Sequence, residues 1–188
     1  QGDVGSGKTV VALYALLRAV ESGRQGALMA PTETLAEQHL ATIDGLLGGT
    51  LPVELLTGST TAARRRDLLA RLGSGELALV VGTHALIEDS VEFRDLAVCV
   101  VDEQHRFGVR QRAALDAKAP GELAPHVLHM TATPIPRTMA LLRYGDLDVT
   151  TLRELPRGRR PVTTHVASTD AERARAYERI REELDAGR

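Results

Sequence analysis

The 188-residue chain is 43% hydrophobic and 26% charged, with a formal net charge of −2. That excludes wholesale disorder and leaves room for one full α/β domain with some margin. A single cysteine, Cys99, excludes an internal disulfide and a cysteine-based zinc cluster and fits a reducing, cytoplasmic setting, while no apolar run reaches membrane-spanning length.

In chain order, the glycine-rich stretch "GDVGSGKT" (2–9) leads into "VVALYALLRAV" (10–20), apolar almost all round and so read as a buried helix. "GALMAPT" (26–32) reads as a strand entering a loop. "TLAEQHLATIDGLLG" (34–48) places Leu35, His39/Leu40, Ile43 and Leu46/Leu47 on one helical face and stops at Gly48. "VELLTG" (53–58) is a short strand, and "TAARRRDLLARLGSG" (61–75) a helix with a solvated arginine face, Arg64 to Arg66, closed by Gly73. The runs "LALVVGTH" (77–84), "LAVCVVDE" (96–103) and "HVLHMTAT" (126–133) are apolar on both faces, as suits parallel strands covered from each side. Cys99 fills core space in the second of them. "PRTMALLRYG" (136–145) reads as a helix with proline near its first turn and glycine at its stop. The alternation predicts an α/β domain, a parallel sheet with helices on both faces. "ELPRGRRPVTTHV" (154–166) changes character and reads as a linker running into a new strand. "DAERARAYERIREELDAG" (170–187) is an amphipathic helix with Asp170 as N-cap, an apolar stripe of Ala174, Tyr177, Ile180 and Leu184, and Gly187 as stop. One strand and one helix bury no core. The expected organisation is therefore a first domain over 1–153, a linker over 154–161, and the start of a second domain over 162–188.

Four stretches carry chemistry. Gly2-Asp3-Val4-Gly5-Ser6-Gly7-Lys8-Thr9 fits G-x-x-x-x-G-K-[ST], in which glycines turn backbone N–H groups toward phosphate oxygens and the following helix points its positive end at the same anion. Lys8 is expected on the β- and γ-phosphates of a nucleotide and the Thr9 hydroxyl on Mg²⁺. Of 23 basic residues only Lys8 and Lys118 are lysine, which argues for a point charge that the arginine fork would replace poorly. Asp102 and Glu103 close a buried strand at the end where ligands sit in open α/β sheets. They are expected to divide labour, Asp102 on Mg²⁺ through water and Glu103 polarising an attacking water. In "MTATPIPRT" (130–138), Thr131 and Thr133 supply hydroxyls near the γ-phosphate position, and Pro134 and Pro136 stiffen the exit. "APTETLAEQH" (30–39) and "VGTHAL" (81–86) also lie at strand exits, where Thr hydroxyls and helix N-termini suit nucleic-acid phosphates. Aromatic residues make up only 3%, so a grip on nucleic acid is expected through the backbone, insensitive to sequence and weakened by salt, and not through stacked bases. His105 is a candidate sensor of nucleotide state; His126 and His129 read as strand residues.

Taken together, "GDVGSGKT", "APTETLAEQH", "VGTHAL", "DEQHRFGV" and "TATPIPRT" resemble motifs I, Ia, Ib, II and III of the superfamily 2 helicases. The resemblance spans essentially the whole chain, including "YGDLD" and "ELPRGRRPVTTHV". It is closer to the members that remodel branched DNA than to the transcription-repair coupling factors, which carry D-E-E-Q-R-F-G-V where this chain has Asp102-Glu103-Gln104-His105-Arg106-Phe107-Gly108-Val109. It implies a RecA-like, P-loop ATPase domain that moves double-stranded or branched DNA with ATP and Mg²⁺. By motif position it implies ATPase roles for Lys8, Thr9, Asp102 and Glu103, a coupling role for Gln104, His105, Thr131 and Thr133, and places for Pro31, Thr32, Gly82 and Thr83 on the DNA path.

The resemblance also implies parts not seen in these residues: a wedge domain, a strand feeding the glycine loop, and a completed second RecA-like domain with its arginine finger. On that reading the chain is a fragment, expected to be poorly stable alone, with little ATPase and no helicase activity. Other readings stay open: a transcription-coupled translocase, a P-loop kinase of small molecules, or a nucleotide switch. A GTPase switch would need N-K-x-D, and the chain has no asparagine.

Overall fold

The structure, a computed structural model, describes residues 1–103, 118, 124–133, 148–153 and 164–187. The helix expected over 136–145, the linker over 154–161, and Gln104, His105, Pro134 and Pro136 lie outside the described residues. The chain divides into two compact units, Gln1–Leu155 and Pro156–Arg188.

In the first unit, helix α1 (Lys8–Glu21) is followed by β1 (Gln25–Met29), α2 (Glu33–Leu47), β2 (Val53–Leu56), α3 (Ala62–Ser74), β3 (Leu79–Gly82), a 3₁₀ turn (His84–Ile87), β4 (Leu96–Asp102) and β5 (His126–Met130). The described strands form one sheet in the order β2-β3-β1-β4-β5, and every neighbouring pair is parallel. Their alternating side chains build a core on each face. Leu28, Leu79, Val81, Val100 and Met130 meet Ala12, Leu13 and Leu16 of α1 and Ala36 and Ile43 of α2. Ala27, Met29, Val80, Cys99 and Val101 meet Leu68 and Leu72 of α3, with Leu86, Val91 and Phe93. This is the expected doubly covered sheet, and Cys99 is the core filler expected of it.

Several local expectations are corrected. Helix α1 is not buried all round: Val10, Val11 and Tyr14 are exposed, because the sheet covers only one side of it. Helix α3 runs through Gly73 and stops at Gly75, whose φ of 81° is the left-handed turn that ends it. The arginine run is not simply a solvated face: Arg64 pairs with Glu54, and Arg65 reaches Glu88 at 2.6 Å and Ser90 at 3.1 Å, while Arg66 is exposed.

In the second unit, α4 (Asp170–Asp185) is capped by Thr169 and not by Asp170. The Thr169 side chain accepts from the Glu172 N–H at 3.3 Å, and the Glu172 carboxylate accepts from the backbone of Ser168 and Thr169, both at 2.9 Å. This reciprocal box satisfies helix N–H groups that have no partner inside the helix, and the same bonds hold the Glu172 carboxyl below its ordinary range. The strand expected ahead of α4 is not formed over 164–168. The described residues contain no helix long and apolar enough to cross a membrane.

Candidate active site

Because all described strands are parallel, their carboxyl ends share one edge of the sheet, with Met29 opposite Gly82 and Val101, and Asp102 opposite Met130. The strand order reverses beside β1, and crevices at such reversals are where open α/β sheets take their ligands.

The glycine loop lies at this edge. Gly2 is buried and donates its N–H to the Thr131 carbonyl at 3.3 Å, just past β5. Backbone at Gly5 and Gly7 takes φ of 77° and 88°, a left-handed conformation that a side chain would strain. Gly7 then stands as the N-cap of α1 with no side chain to satisfy the first N–H groups, and the first turn holds no acidic residue. A helix start left open in this way attracts an anion. The Lys8 ammonium is folded back on the loop's own carbonyls, Gly2 O and Asp3 O, each at 2.8 Å. Both acceptors are neutral, and a phosphate oxygen offers Lys8 a stronger, charge-assisted partner.

The acidic pair lies at the same edge. Asp102 ends β4 and is 8% exposed. Its Oδ1 accepts the Glu103 N–H at 3.0 Å and its Oδ2 lies 2.7 Å from His39 Nε2. Glu103 is the non-glycine residue at positive φ, 49°, among those described. Such backbone costs on the order of 1–3 kcal/mol and clusters where geometry serves chemistry. Thr131 joins the two halves. Its carbonyl holds Gly2, while its hydroxyl lies 3.4 Å from Glu103 Oε2 and 3.2 Å from both Thr133 O and Thr133 Oγ1. One hydroxyl proton serves one of these acceptors at a time, so Thr131 can exchange partners without moving its backbone.

The described residues hold no group of three or more His, Cys, Asp or Glu able to cage a metal. Mg²⁺ keeps several waters and takes few protein ligands alongside phosphate oxygens, so the strand-end carboxylate of Asp102 suits it without such a cage.

The residues expected on a DNA path separate into two kinds. Thr32 is exposed, with Pro31 half-buried beside it, and the Thr32 hydroxyl caps α2 by accepting from Leu35 N–H at 3.3 Å. Gly82 and Thr83 are buried, and Thr83 caps the 3₁₀ turn. A Cβ on Gly82 would sit 2.1 Å from the Leu56 carbonyl oxygen, so the glycine there is already required by strand packing.

Two features of the edge escaped the sequence reading. His39 belongs by spacing to the apolar stripe of α2, yet it contacts Asp102; a polar residue on a buried face is the available signal. The turn after β2 is the other. Ser59 donates its N–H at 3.1 Å and its hydroxyl at 2.8 Å to the Glu33 carboxylate, and these bonds hold the Glu33 carboxyl below its ordinary range. Residues 57–60 exit a strand just as 30–32, 83–84 and 131–133 do, so the strand-exit rule applied to "VELLTG" would have found them.

Residues 1–142 match the DEAD/DEAH box helicases. The chain belongs to this family. It is 59% identical, over 191 residues that take in the whole chain and 22% of the relative, to a Synechocystis protein described as ATP-dependent DNA helicase RecG. Identity to the Bacillus subtilis protein of the same description is 50% over 190 residues, covering the whole chain and 27% of that protein. A solved structure of RecG bound to a three-way DNA junction matches with a TM-score of 0.76 and 40% identity, covering 100% of this chain and 25% of that one. The DEAD-box helicase domain 2 of Mss116p, bound to an RNA duplex, shares the fold at 14% identity and a TM-score of 0.62. The sheet is thus the RecA-like sheet of these helicases, and the chain spans about a quarter of the length of the relatives it matches.

Proposed function

We propose that the chain is the nucleotide-binding part of a DNA helicase or translocase that couples ATP hydrolysis to remodelling of branched DNA, such as replication forks and recombination junctions, in repair and recombination. The observation that carries this reading is Thr131, whose carbonyl holds the glycine loop at 3.3 Å and whose hydroxyl reaches Glu103 at 3.4 Å. Loop and carboxylates, about a hundred residues apart in the chain, border one another there. Identity to RecG proteins across the whole chain supports the branched-DNA reading over the transcription-coupled one.

In this reading the loop amides and the open end of α1 take phosphate oxygens, and Lys8 leaves Gly2 O and Asp3 O for the β- and γ-phosphates. Thr9 and Asp102 would hold Mg²⁺, Asp102 through water, and the ion would supply positive charge that offsets the charge of the phosphates. Glu103 orients the water that attacks the γ-phosphorus and accepts its proton as the bond to the bridging oxygen breaks and ADP leaves. Thr131 and Thr133 lose an acceptor when the γ-phosphate departs and pair again with each other or with Glu103, which couples hydrolysis to movement. Gln104 and His105 share that coupling role. Pro31, Thr32 and the backbone at Gly82 and Thr83 meet DNA phosphates without reading sequence. Residues 1–153 form the first motor domain and 162–188 the opening of a second, joined by 154–161; a completed second motor domain and a branch-recognising wedge of the same protein supply the remaining contacts, in the cytoplasm.

The test is ATP turnover, with and without forked DNA, by the complete reading frame that carries these residues. Forked DNA raises turnover, rising salt lowers that stimulation, and Lys8→Ala and Glu103→Gln each reduce turnover by at least about a hundredfold. Turnover indifferent to both substitutions, or to DNA, overturns the reading.

A further inference from the structure

Helix α2 touches the sheet's carboxyl edge twice. Its amino end is capped locally by Thr32 and fastened there by Glu33, which grips Ser59 after β2. Seven residues further on, two helical turns or about 10 Å along the axis, the His39 ring is 13% exposed and sets Nε2 at 2.7 Å from Asp102 Oδ2. Ala36, His39 and Ile43 lie on one face of the helix, as their three- and four-residue spacings require. Ala36 and Ile43, on either side of His39, are fully buried. The helix therefore cannot slide or roll without carrying the histidine with it.

Asp102 is held through both oxygens, Oδ1 by the Glu103 N–H and Oδ2 by His39. The first bond comes from the neighbouring residue and follows β4 wherever it goes. The second comes from 63 residues away in the chain. Of these two contacts it is the one that reports the position of α2. We propose that His39 is a positioning residue that couples the DNA-facing end of α2 to the Asp102 carboxylate. Contact at residues 31–33 and 57–59 sets how the helix sits, and His39 passes that setting to the group that faces the nucleotide. This inference rests on the proposed motor reading and adds to it a second line between the two ligand sites, separate from Thr131 and Thr133. His39 acts through Asp102 and touches neither ligand.

Coupling between two sites is reciprocal and can be read from binding alone. The measurement is the dissociation constant for forked DNA, with and without a non-hydrolysable ATP analogue and Mg²⁺, on the complete protein. The ratio of the two constants is the coupling. His39→Gln keeps an amide donor long enough to reach Asp102, whereas His39→Asn keeps the polarity and falls short. The expected result is a ratio well away from one in the unsubstituted protein, largely kept by Gln and reduced about tenfold toward one by Asn, within the range seen when partners of metal ligands are removed. Equal ratios for Gln and Asn, or a ratio of one in the unsubstituted protein, overturn the proposal. The ratio is taken within each variant, so a lower folded fraction cancels. Amide exchange over residues 33–47 of the unsubstituted protein gives a reading that needs no variant: it changes on adding the analogue with Mg²⁺, and identical exchange overturns the proposal. Lys8→Ala separates this failure from that of the motor reading. If Lys8→Ala abolishes DNA-stimulated turnover while His39→Asn keeps the binding ratio, only the coupling falls.

Discussion

The two ends of the sheet handle polar groups in opposite ways. At the amino end, Gln25 is 3% exposed. Its amide donates to Leu72 O at 2.9 Å and Leu77 O at 2.8 Å and accepts from Asp95 N–H at 2.9 Å. Beside it, Arg24 grips Asp95 with two bonds, at 2.9 and 2.7 Å. The Gln25 partners are backbone groups, fixed in place by the fold. At the carboxyl end, Thr131 shares one hydroxyl among acceptors at 3.2 to 3.4 Å, Lys8 rests on neutral carbonyls, and Glu103 sits at positive φ. Polar groups that build the fold are satisfied in full by partners that do not change. Those proposed to handle a ligand hold bonds that a ligand could replace, and the fold bears the cost of keeping them there.

The largest effect that could break this contrast is at Glu103. Glu103→Gln is expected to lower DNA-stimulated turnover by about a hundred- to ten-thousandfold, the range for losing a general base. Its melting temperature should stay within about 2 °C of the parent, since the bond lost to Thr131 is long and an amide oxygen can still accept it. A large fall in melting temperature would mean that the carboxyl edge is as structural as the amino edge.

Gln25→Leu is the converse. It strips a buried donor pair from Leu72 O and Leu77 O and an acceptor from Asp95 N–H, at a cost of about 2 to 4 kcal/mol. Denaturant melts should show that loss, with turnover per folded molecule unchanged. A variant as stable as the parent would show that water replaces the amide, and that the clasp contributes little.

How far the sequence reached follows the same divide. The strands and the doubly covered sheet were legible because runs such as "LAVCVVDE" are apolar on both faces, and the loop and acidic pair because a glycine-spaced lysine before a helix and adjacent carboxylates closing an apolar strand stand out by type and spacing. Contacts between distant residues were not legible. Nothing local in Gln25 tells that it meets carbonyls 47 and 52 residues away, and nothing in His39 tells that it meets Asp102. Composition also misled for α1, since an all-apolar helix does not say which side a sheet will cover, and Val10, Val11 and Tyr14 are on the other side. The cap of α4 was within reach: Thr169 and Glu172 already stand at capping-box spacing, and reading Asp170 instead overlooked the second half of that box.

The smallest effect concerns Arg24 and Asp95. Hydrogen bonding to the Arg24 guanidinium, and then its charge, holds the Asp95 carboxyl below its ordinary value. The folded state therefore favours the charged carboxylate more than the unfolded chain does. The resulting stability is fully present above the ordinary aspartate value of 3.8 and is lost as pH falls through the lower, folded value. Both side chains are more than a third exposed, so solvent screening limits the contribution to no more than about 1 kcal/mol. Asp95→Asn should thus lower the melting temperature at pH 7 by about 2 °C. The difference should shrink in high salt, because exposed charges are screened, and vanish in acid, where the parent carboxyl is protonated as well. A deficit that persists unchanged at low pH would show that the Asp95 side chain contributes through its shape and not through its charge.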